Sequence, residues 1–197
     1  MALGDPYATP VEFKSYISVS SADLDLQIAD SLTAASREIE KHCGRQFNST
    51  TVPSLRTFEV RDSSVLLVDD FHTLEGLVIK TDDNQTLTTS DYRLEPLNGV
   101  VDGQPGWPYY RISASQGYRF PRYGSTTVEV TAQWGWATVP VAVKQACIAL
   151  ANENLKVIRE APFGVAGTDA FGLVRVRDNQ RIRTMLQPYR RYDKAVA

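Results

Sequence analysis

The sequence has few residues of the kinds that carry metal or redox chemistry. Its 197 residues include two cysteines and two histidines. His42 and His72 belong to no ligand-spaced cluster such as C-x-x-C or H-E-x-x-H. Cys43 and Cys147 both fall on apolar stretches with helical spacing, which favours buried free thiols in a reducing compartment over a disulfide. We therefore expect no metal site and no cofactor.

Long apolar runs and a strong net charge are also lacking. No apolar stretch approaches the roughly 20 residues of a membrane span. The N-terminal "MALGDPYATP" lacks the basic-then-apolar layout of a signal peptide. A formal net charge of −2 excludes the general attraction for nucleic acid or anionic membranes that a basic domain has. These absences predict a protein folded in a cytoplasm, with no membrane partner.

Catalytic motifs are absent as well. The sequence contains no G-x-S-x-G elbow, and the glycines of "GVAGTDAFG" lack the Gly-Lys-Ser/Thr ending of a phosphate-binding loop. That segment is interpreted as a linker. The acidic pairs Asp69-Asp70 and Asp82-Asp83 are typical of solvated turns rather than of metal or acid–base sites. We therefore expect no enzymatic activity.

Helical patterns are present at both ends of the chain. In "TPVEFKSYIS", Thr9 is the expected N-cap of a short helix and Pro10 its first residue. A longer helix is predicted from a serine cap at Ser20 or Ser21 to the residue before Gly44. Its apolar stripe has spacings of three and four. The stripe consists of Leu24, Ile28, Leu32, Ala35, Ile39 and Cys43.

The C-terminal third returns to helix after Trp136. Thr138 as cap and Pro140 in the first turn predict the start of a long helix. "LVRVR" is predicted to be a short strand. "DNQRIRTMLQPYRR" is predicted to be a final helix capped by Asp178, with Ile182, Met185, Leu186 and Tyr189 on its apolar side.

Between these helices, from about Leu55 to Trp134, short β-prone runs alternate with turn residues. "TTVEVTAQW" alternates strictly, which indicates a half-buried strand. Asn98-Gly99 is the preferred pair for a type I′ hairpin between "RLEPL" and "VVD". "DGQPGWPYYR" is predicted to be an exposed loop because of its proline and glycine content.

The order of these elements predicts an α+β fold. Residues 1–54 and 135–197 are expected to form a small α-helical bundle, with residues 55–134 as an inserted β-rich region. In "WGWATVPVAVKQ", Gly135 would let the chain turn from strand to helix, and Trp134 and Trp136 would pack the corner.

An aromatic stretch with interleaved arginines is a candidate binding surface. Rings beside cations are typical of sites for single-stranded nucleic acid or sugar. A covered sheet face or a contact between subunits is the favoured interpretation, because Tyr, Trp and Arg are enriched at such contacts. The residues considered for the subunit interface are Trp107, Tyr109, Tyr110, Arg119 and Arg122.

The C-terminal segment has a local charge of about +5 in a chain that is acidic overall. It is either a solvated helix face or a docking arm for an acidic protein surface or DNA phosphates. The candidate docking residues are Arg175, Arg177, Arg181, Arg183, Tyr189, Arg190, Arg191 and Tyr192.

Several segments together resemble the head–tail connector (adaptor, or head-completion) proteins of tailed bacteriophages. The matching segments are "TPVEFKSYI", "AASREIEKHCGRQF", "DYRLEPLNGVV", "WGWATVPVAVKQACIALA" and "RIRTMLQPYRR". The sequence departs from shorter members of that family in its extended β-rich middle.

This resemblance implies a structural virion protein that forms a ring, commonly of twelve subunits, under the portal. Such a ring extends the DNA channel without sequence-specific DNA binding and joins the head to the next connector or tail component. The implied location is the head–tail junction of the virion, after assembly in the bacterial host cytoplasm. The resemblance also implies that the basic C-terminal segment reaches the portal protein. The alternative is a carbohydrate- or nucleic-acid-binding β module that uses the aromatic loop Trp107–Tyr110.

Overall fold

A computed structural model describes residues 2–18, 20, 23–115, 117–122, 126–160 and 179–191. The chain divides into two compact units. The helical unit combines Leu3–Phe47 with the chain from Val139 onward, and the β unit comprises Asn48–Thr138 together with Ala2. The fold is α+β, which confirms the predicted class.

In the helical unit, the described residues form helices α1 (Pro10–Ile17), α2 (Asp25–Cys43), α3 (Val141–Glu160) and α4 (Gln180–Leu186), followed by a 3-10 turn, Gln187–Tyr189. In the β unit the strands are β1 (Ser54–Glu59), β2 (Val65–Phe71), β3 (Val78–Thr81), β4 (Tyr92–Glu95), β5 (Val100–Val101), β6 (Gln104–Pro105), β7 (Tyr109–Ala114) and β8 (Thr127–Ala132).

Helix α1 begins as the sequence predicted. The Thr9 hydroxyl accepts a hydrogen bond from the backbone N–H of Glu12, and the Glu12 carboxylate accepts one from the backbone N–H of Thr9 at 2.8 Å. This reciprocal capping box satisfies two of the amides that a helix start leaves without partners.

Helix α2 starts later than predicted. Its N-cap is Leu24, which makes no side-chain capping bond, so the prediction of a serine cap at position 20 or 21 is wrong. An ion pair between Lys14 and Asp25 lies at this end instead. The predicted end is confirmed: Gly44 has a φ of +63° and terminates the helix.

The core of the helical unit lies between α2 and α3. The predicted stripe of α2 is buried from Ile28 to Cys43, whereas Leu24 is half-buried. The Oγ atom of Ser36 lies 3.3 Å from the Sγ atom of Cys147, and both cysteines are buried free thiols. Helix α3 begins at Val141, so the prediction that Pro140 lies inside the first turn is wrong by one residue.

The β unit contains two three-stranded antiparallel sheets with the strand orders β1-β8-β3 and β2-β7-β4. Both contribute side chains to one hydrophobic cluster. The predicted alternation of β8 is confirmed, because its inward residues are almost fully buried. These are Thr126, Val128, Val130, Ala132 and Trp134.

The predicted hairpin at Asn98-Gly99 is wrong, although both residues have positive φ. Strand β4 pairs with β7, and β5 pairs with β6 across Asp102-Gly103. The Gly99 carbonyl accepts from the Trp107 backbone N–H at 3.0 Å, which places the turn against a later segment. Long-range pairing with β7 thus overrides the local turn signal.

The predicted loop "DGQPGWPYYR" is exposed over residues 102–106. The remainder of the prediction is wrong, because Gln104–Pro105 forms β6 and Tyr109 begins β7. Pro108 is buried. The acidic pair Asp82-Asp83 lies in an exposed turn as expected.

Candidate functional site

The first candidate surface is the exposed side of α4. Asn179 caps this helix by accepting from the Ile182 backbone N–H at 3.1 Å, so the prediction of Asp178 as the cap is wrong by one residue. Asp178 and the segment "LVRVR" lie outside the described residues. Ile182 and Leu186 are buried. Arg181 and Arg183, which flank Ile182 in the sequence, are exposed to solvent.

Helix α4 is attached firmly to the rest of the helical unit. The Asn179 side-chain amide donates to the Glu153 carboxylate of α3 at 2.6 Å. The Arg191 backbone N–H donates to the Cys43 carbonyl at the end of α2 at 2.8 Å. The Tyr189 ring packs edge-on against Phe47 with 5.9 Å between centroids. The basic surface thus belongs to a packed body rather than to a loose arm.

A shallow depression of about 110 Å³ lies between α4 and the last turn of α2. Its lining residues are His42, Gln180, Arg183, Thr184, Gln187 and Arg190. Burial lowers the pKa of His42 below its ordinary value, and the nearby charges of Arg190 and Arg183 lower it further. At neutral pH, His42 is therefore the uncharged member of a site that has two guanidinium groups.

The candidate docking residues divide into four groups by exposure and by whether the structure describes them. Arg181, Arg183 and Arg190 are exposed, and Tyr189 is half-buried. Arg191 is only 5% exposed, so the expectation that its side chain is available at the surface is wrong. The rest, Arg175, Arg177 and Tyr192, lie outside the described residues. Sequence reasoning missed His42, because a lone histidine at a helix end gave no sign that α4 would fold beside it.

The second candidate surface, the aromatic stretch, is largely engaged within the β unit. The Trp107 ring lies 5.0 Å from that of Trp136, and the Tyr109 ring lies 5.5 Å from that of Phe71. Tyr110 is half-buried. Because these rings pack on their own unit, they leave less open surface for stacking a ligand.

The two arginines of that stretch lie on the surface. Arg119 and Arg122 are both exposed, and the Arg119 guanidinium donates to the neighbouring Tyr118 carbonyl at 2.6 Å. They are therefore placed where another molecule can reach them.

The corner after β8 is structural. Gly135 has a φ of +94°, and its N–H donates to the Asp70 carbonyl at 2.6 Å. The Asp70 carboxylate accepts from the Trp136 indole N–H at 3.0 Å, and Trp134 and Trp136 are almost fully buried. The prediction that both tryptophans pack the corner is confirmed.

The prediction that Asp69-Asp70 is a solvated turn is wrong. Both residues belong to β2, where the Asp69 carboxylate pairs with Arg56 at 2.6 Å and Asp70 is buried. The Asp70 bond to the Trp136 indole, made across a long sequence separation, explains why a strand holds two adjacent acids.

A third surface, which the sequence did not single out, is an exposed apolar patch on the outer face of β1-β8-β3. Leu55 and Val78 both lie opposite Thr131, so the sheet register brings them into one row. The loops that carry Val52 and Leu74 lie beside each other, because Pro53 is packed close to Gly76. We call Val52, Leu55, Leu74 and Val78 the apolar patch; all four side chains are exposed.

The described part of the chain contains no group of three or more His, Cys, Asp or Glu side chains placed to hold a metal ion. No helix within it has the length and apolar character needed to cross a membrane.

Two comparisons with known proteins found matches to this chain. The family model described as "Head completion protein" matches residues 8–152. The solved structure "Neck of empty GTA particle computed with C6 symmetry" contains a chain that is similar to this one, with 21% identity and a TM-score of 0.54. The similarity covers 96% of this chain and 95% of the other, and it establishes a shared fold. No curated protein matches the sequence significantly.

Proposed function

The chain belongs to the head completion protein family, and from this premise we propose that it forms a ring under the portal of a tailed bacteriophage. The ring would extend the DNA channel and join the head to the next connector or tail component. Family membership is the observation that carries this proposal. It supports a structural role between head and tail.

A ring of twelve subunits is the proposed assembly. The similar neck chain comes from a particle computed with C6 symmetry, and sixfold symmetry is compatible with six or twelve copies. A closed ring needs two different surfaces on each subunit that fit one another. We propose that the apolar patch is one of these surfaces, since large exposed apolar patches commonly mark interfaces. Arg119 and Arg122 are proposed to add charged contacts between subunits.

Docking to the portal is assigned to the exposed arginines of α4 and the turn after it, Arg181, Arg183 and Arg190. Arg175, Arg177 and Tyr192 remain docking residues predicted from the sequence alone. The whole chain has a formal charge of −2, so this surface is a local concentration of positive charge. If this positive charge were repeated around a ring and not neutralised, the surface would bind DNA tightly through the phosphates. Contact with an acidic surface of the portal would neutralise it and let DNA pass through the lumen without sequence-specific binding.

Electron microscopy of intact virions tests the ring. The expected result is density for twelve copies between portal and tail, at the head–tail junction of particles assembled in the bacterial cytoplasm. Absence of the protein from the particle would overturn the proposal.

The docking role needs substitutions rather than truncation. A chain cut after Gly172 would lose Ile182 and Leu186, which are buried in the helical unit, so lost binding would not distinguish docking from unfolding. Replacing Arg181, Arg183 and Arg190 together with glutamine should instead abolish binding to purified portal in a pull-down and leave the far-UV circular dichroism spectrum unchanged.

The matched control is the double replacement of Arg61 and Arg93 with glutamine, because both are exposed arginines of the β unit and neither is assigned to a contact with another molecule. This control should bind the portal normally. Unchanged portal binding by the triple variant would contradict the docking assignment and leave the ring to be judged by microscopy.

A further inference from the structure

The depression between α4 and the end of α2 combines charge and shape in a way that suits a small anion. Arg183 and Arg190 supply guanidinium groups, and the polar side chains of Gln180, Thr184 and Gln187 complete the lining with His42. The Thr184 hydroxyl already donates to the Gln180 carbonyl at 2.9 Å. Its proton is therefore engaged within the helix, and the two guanidinium groups are the main donors for an anion.

We infer that this depression binds the carboxylate of an aspartate or glutamate side chain from the docked partner protein. The inference rests on the proposed function of the basic surface, and it adds a defined receptor to that surface. Guanidinium groups bind carboxylates through paired, charge-assisted hydrogen bonds, which gives the contact direction as well as strength.

A carboxylate fits this site better than a DNA backbone does. The depression is about 110 Å³, well below the roughly 300–1,000 Å³ of sites for drug-sized ligands, so it suits the end of one side chain. DNA binding by phosphate contacts needs many cations spread along the duplex. Here two arginines converge on one concave point, with uncharged amides beside them.

His42 makes the site sensitive to pH. The charged groups that act on its imidazole are Arg190, Arg183 and, with the opposite sign, Glu38. A bound carboxylate would favour the charged imidazole, so binding and protonation of His42 should reinforce each other. The affinity for an acidic ligand should therefore rise as pH falls from about 7 to about 5.5.

The test uses the full chain and a hexaglutamate peptide as the probe, with binding followed by the imidazole NMR signals of His42. The peptide should raise the pKa of His42 and shift its resonances saturably. The double variant Arg183→Gln, Arg190→Gln should bind the peptide at least tenfold more weakly, the size expected from losing charge-assisted bonds. His42→Gln should keep peptide binding at pH 7 and lose its increase at lower pH.

Lys41→Gln is the matched control, since Lys41 is an exposed cation directly before His42 that does not line the depression. It should weaken peptide binding by less than twofold. Equal weakening by Lys41→Gln would overturn the inference, because it would mean a diffuse charge effect. Two other results would also overturn the inference. One is failure of the wild-type chain to bind the peptide, and the other is a short DNA duplex that produces the same saturable His42 shift at lower concentration.

Portal binding by the same variants separates this inference from the proposed function. If the wild-type chain binds the portal and the double variant binds it equally well, the depression is not the receptor but docking stands. If the wild-type chain binds the peptide through this site and does not bind the portal, the docking proposal is wrong while the carboxylate site stands.

Discussion

Replacing Gly135 by alanine should destabilise the β unit strongly, because the backbone at this corner has no room for a side chain. An alanine Cβ would lie 1.7 Å from the carbonyl oxygen of Asn48 and 2.7 Å from its carbonyl carbon. That oxygen is fixed, since it accepts from the Trp136 backbone N–H at 3.2 Å. The backbone of Gly135 is fixed as well, because its N–H donates to the Asp70 carbonyl.

Two effects add to the expected loss of stability. A φ of +94° is strained for alanine, and left-handed backbone costs L-residues roughly 1–2 kcal/mol. Relief of the clash requires the backbone to shift in a well-packed region, for which overpacking values of about 1–3 kcal/mol are typical. The free energy of unfolding of the β unit should therefore fall by roughly 2–5 kcal/mol, which is large against a usual total of about 5–15 kcal/mol.

Urea unfolding followed by two probes measures this loss in the affected unit. The tryptophans all belong to the β unit, and they are Trp107, Trp134 and Trp136. Their fluorescence reports unfolding of that unit, whereas circular dichroism at 222 nm mainly reports the helical unit. With an m value of about 1.5 kcal/mol/M, a loss of about 3 kcal/mol lowers the fluorescence midpoint by about 2 M.

Gly106→Ala is the control, because Gly106 has a similar φ of +88° and open space where its Cβ would be. It should lose only the contribution from backbone strain. Equal midpoint shifts for Gly135→Ala and Gly106→Ala would refute the reasoning, since the contact with Asn48 would then contribute nothing.

Four further outcomes are expected. Burial raises the pKa of Cys43 to about 12 and also raises the pKa of Cys147, so a thiol reagent at pH 8 should label neither cysteine until urea unfolds the helical unit; fast labelling of the folded chain would contradict this. The raised pKa of Cys43 also makes stability depend on pH. The contribution of the protonated thiol to the free energy of unfolding is complete below the unfolded pKa of about 8.5 and is lost as pH rises toward 12. Cys43→Ala should therefore lose less stability over that pH range than the wild-type chain does. Asp70→Ala should lower the stability of the β unit by at least about 1–3 kcal/mol, because it leaves the buried Trp136 indole N–H without its acceptor, and an unchanged fluorescence midpoint would count against that bond. Thr9→Ala should destabilise the helical unit by about 1 kcal/mol through loss of the capping box, with Thr9→Ser close to wild type in thermal unfolding.

Local signals in the sequence predicted the elements that depend on neighbouring residues. The Thr9 cap, the Gly44 terminator and the alternation of β8 each act within a few residues, so the sequence carries them directly. The prediction of a serine cap for α2 was wrong although the local sequence suited it, because the chain enters the helix later, at Leu24.

Pairing between distant segments could not be read in the same way. Asn98-Gly99 adopts the positive φ values of a hairpin turn, yet β4 pairs with β7. The acids Asp69 and Asp70 resemble turn residues until Arg56 and Trp136 are placed beside them. In both cases the partner lies far along the chain, and no local rule specifies it.

The candidate site shows the same division. The sequence alone revealed a basic C-terminal segment and a resemblance to connector proteins, because charge and residue pattern are properties of the chain itself. It did not reveal that Arg191 is buried or that His42 joins Arg183 and Arg190 around one depression.

The sequence by itself thus determined the fold class, the helix start at Thr9, the need for glycine at the corner and the sign of the C-terminal charge. Only the tertiary structure decided which arginines reach solvent, which strands pair and where the apolar patch forms. The physical reason is that local propensity acts over one or two turns of chain, whereas burial and charge proximity depend on which distant segments pack together.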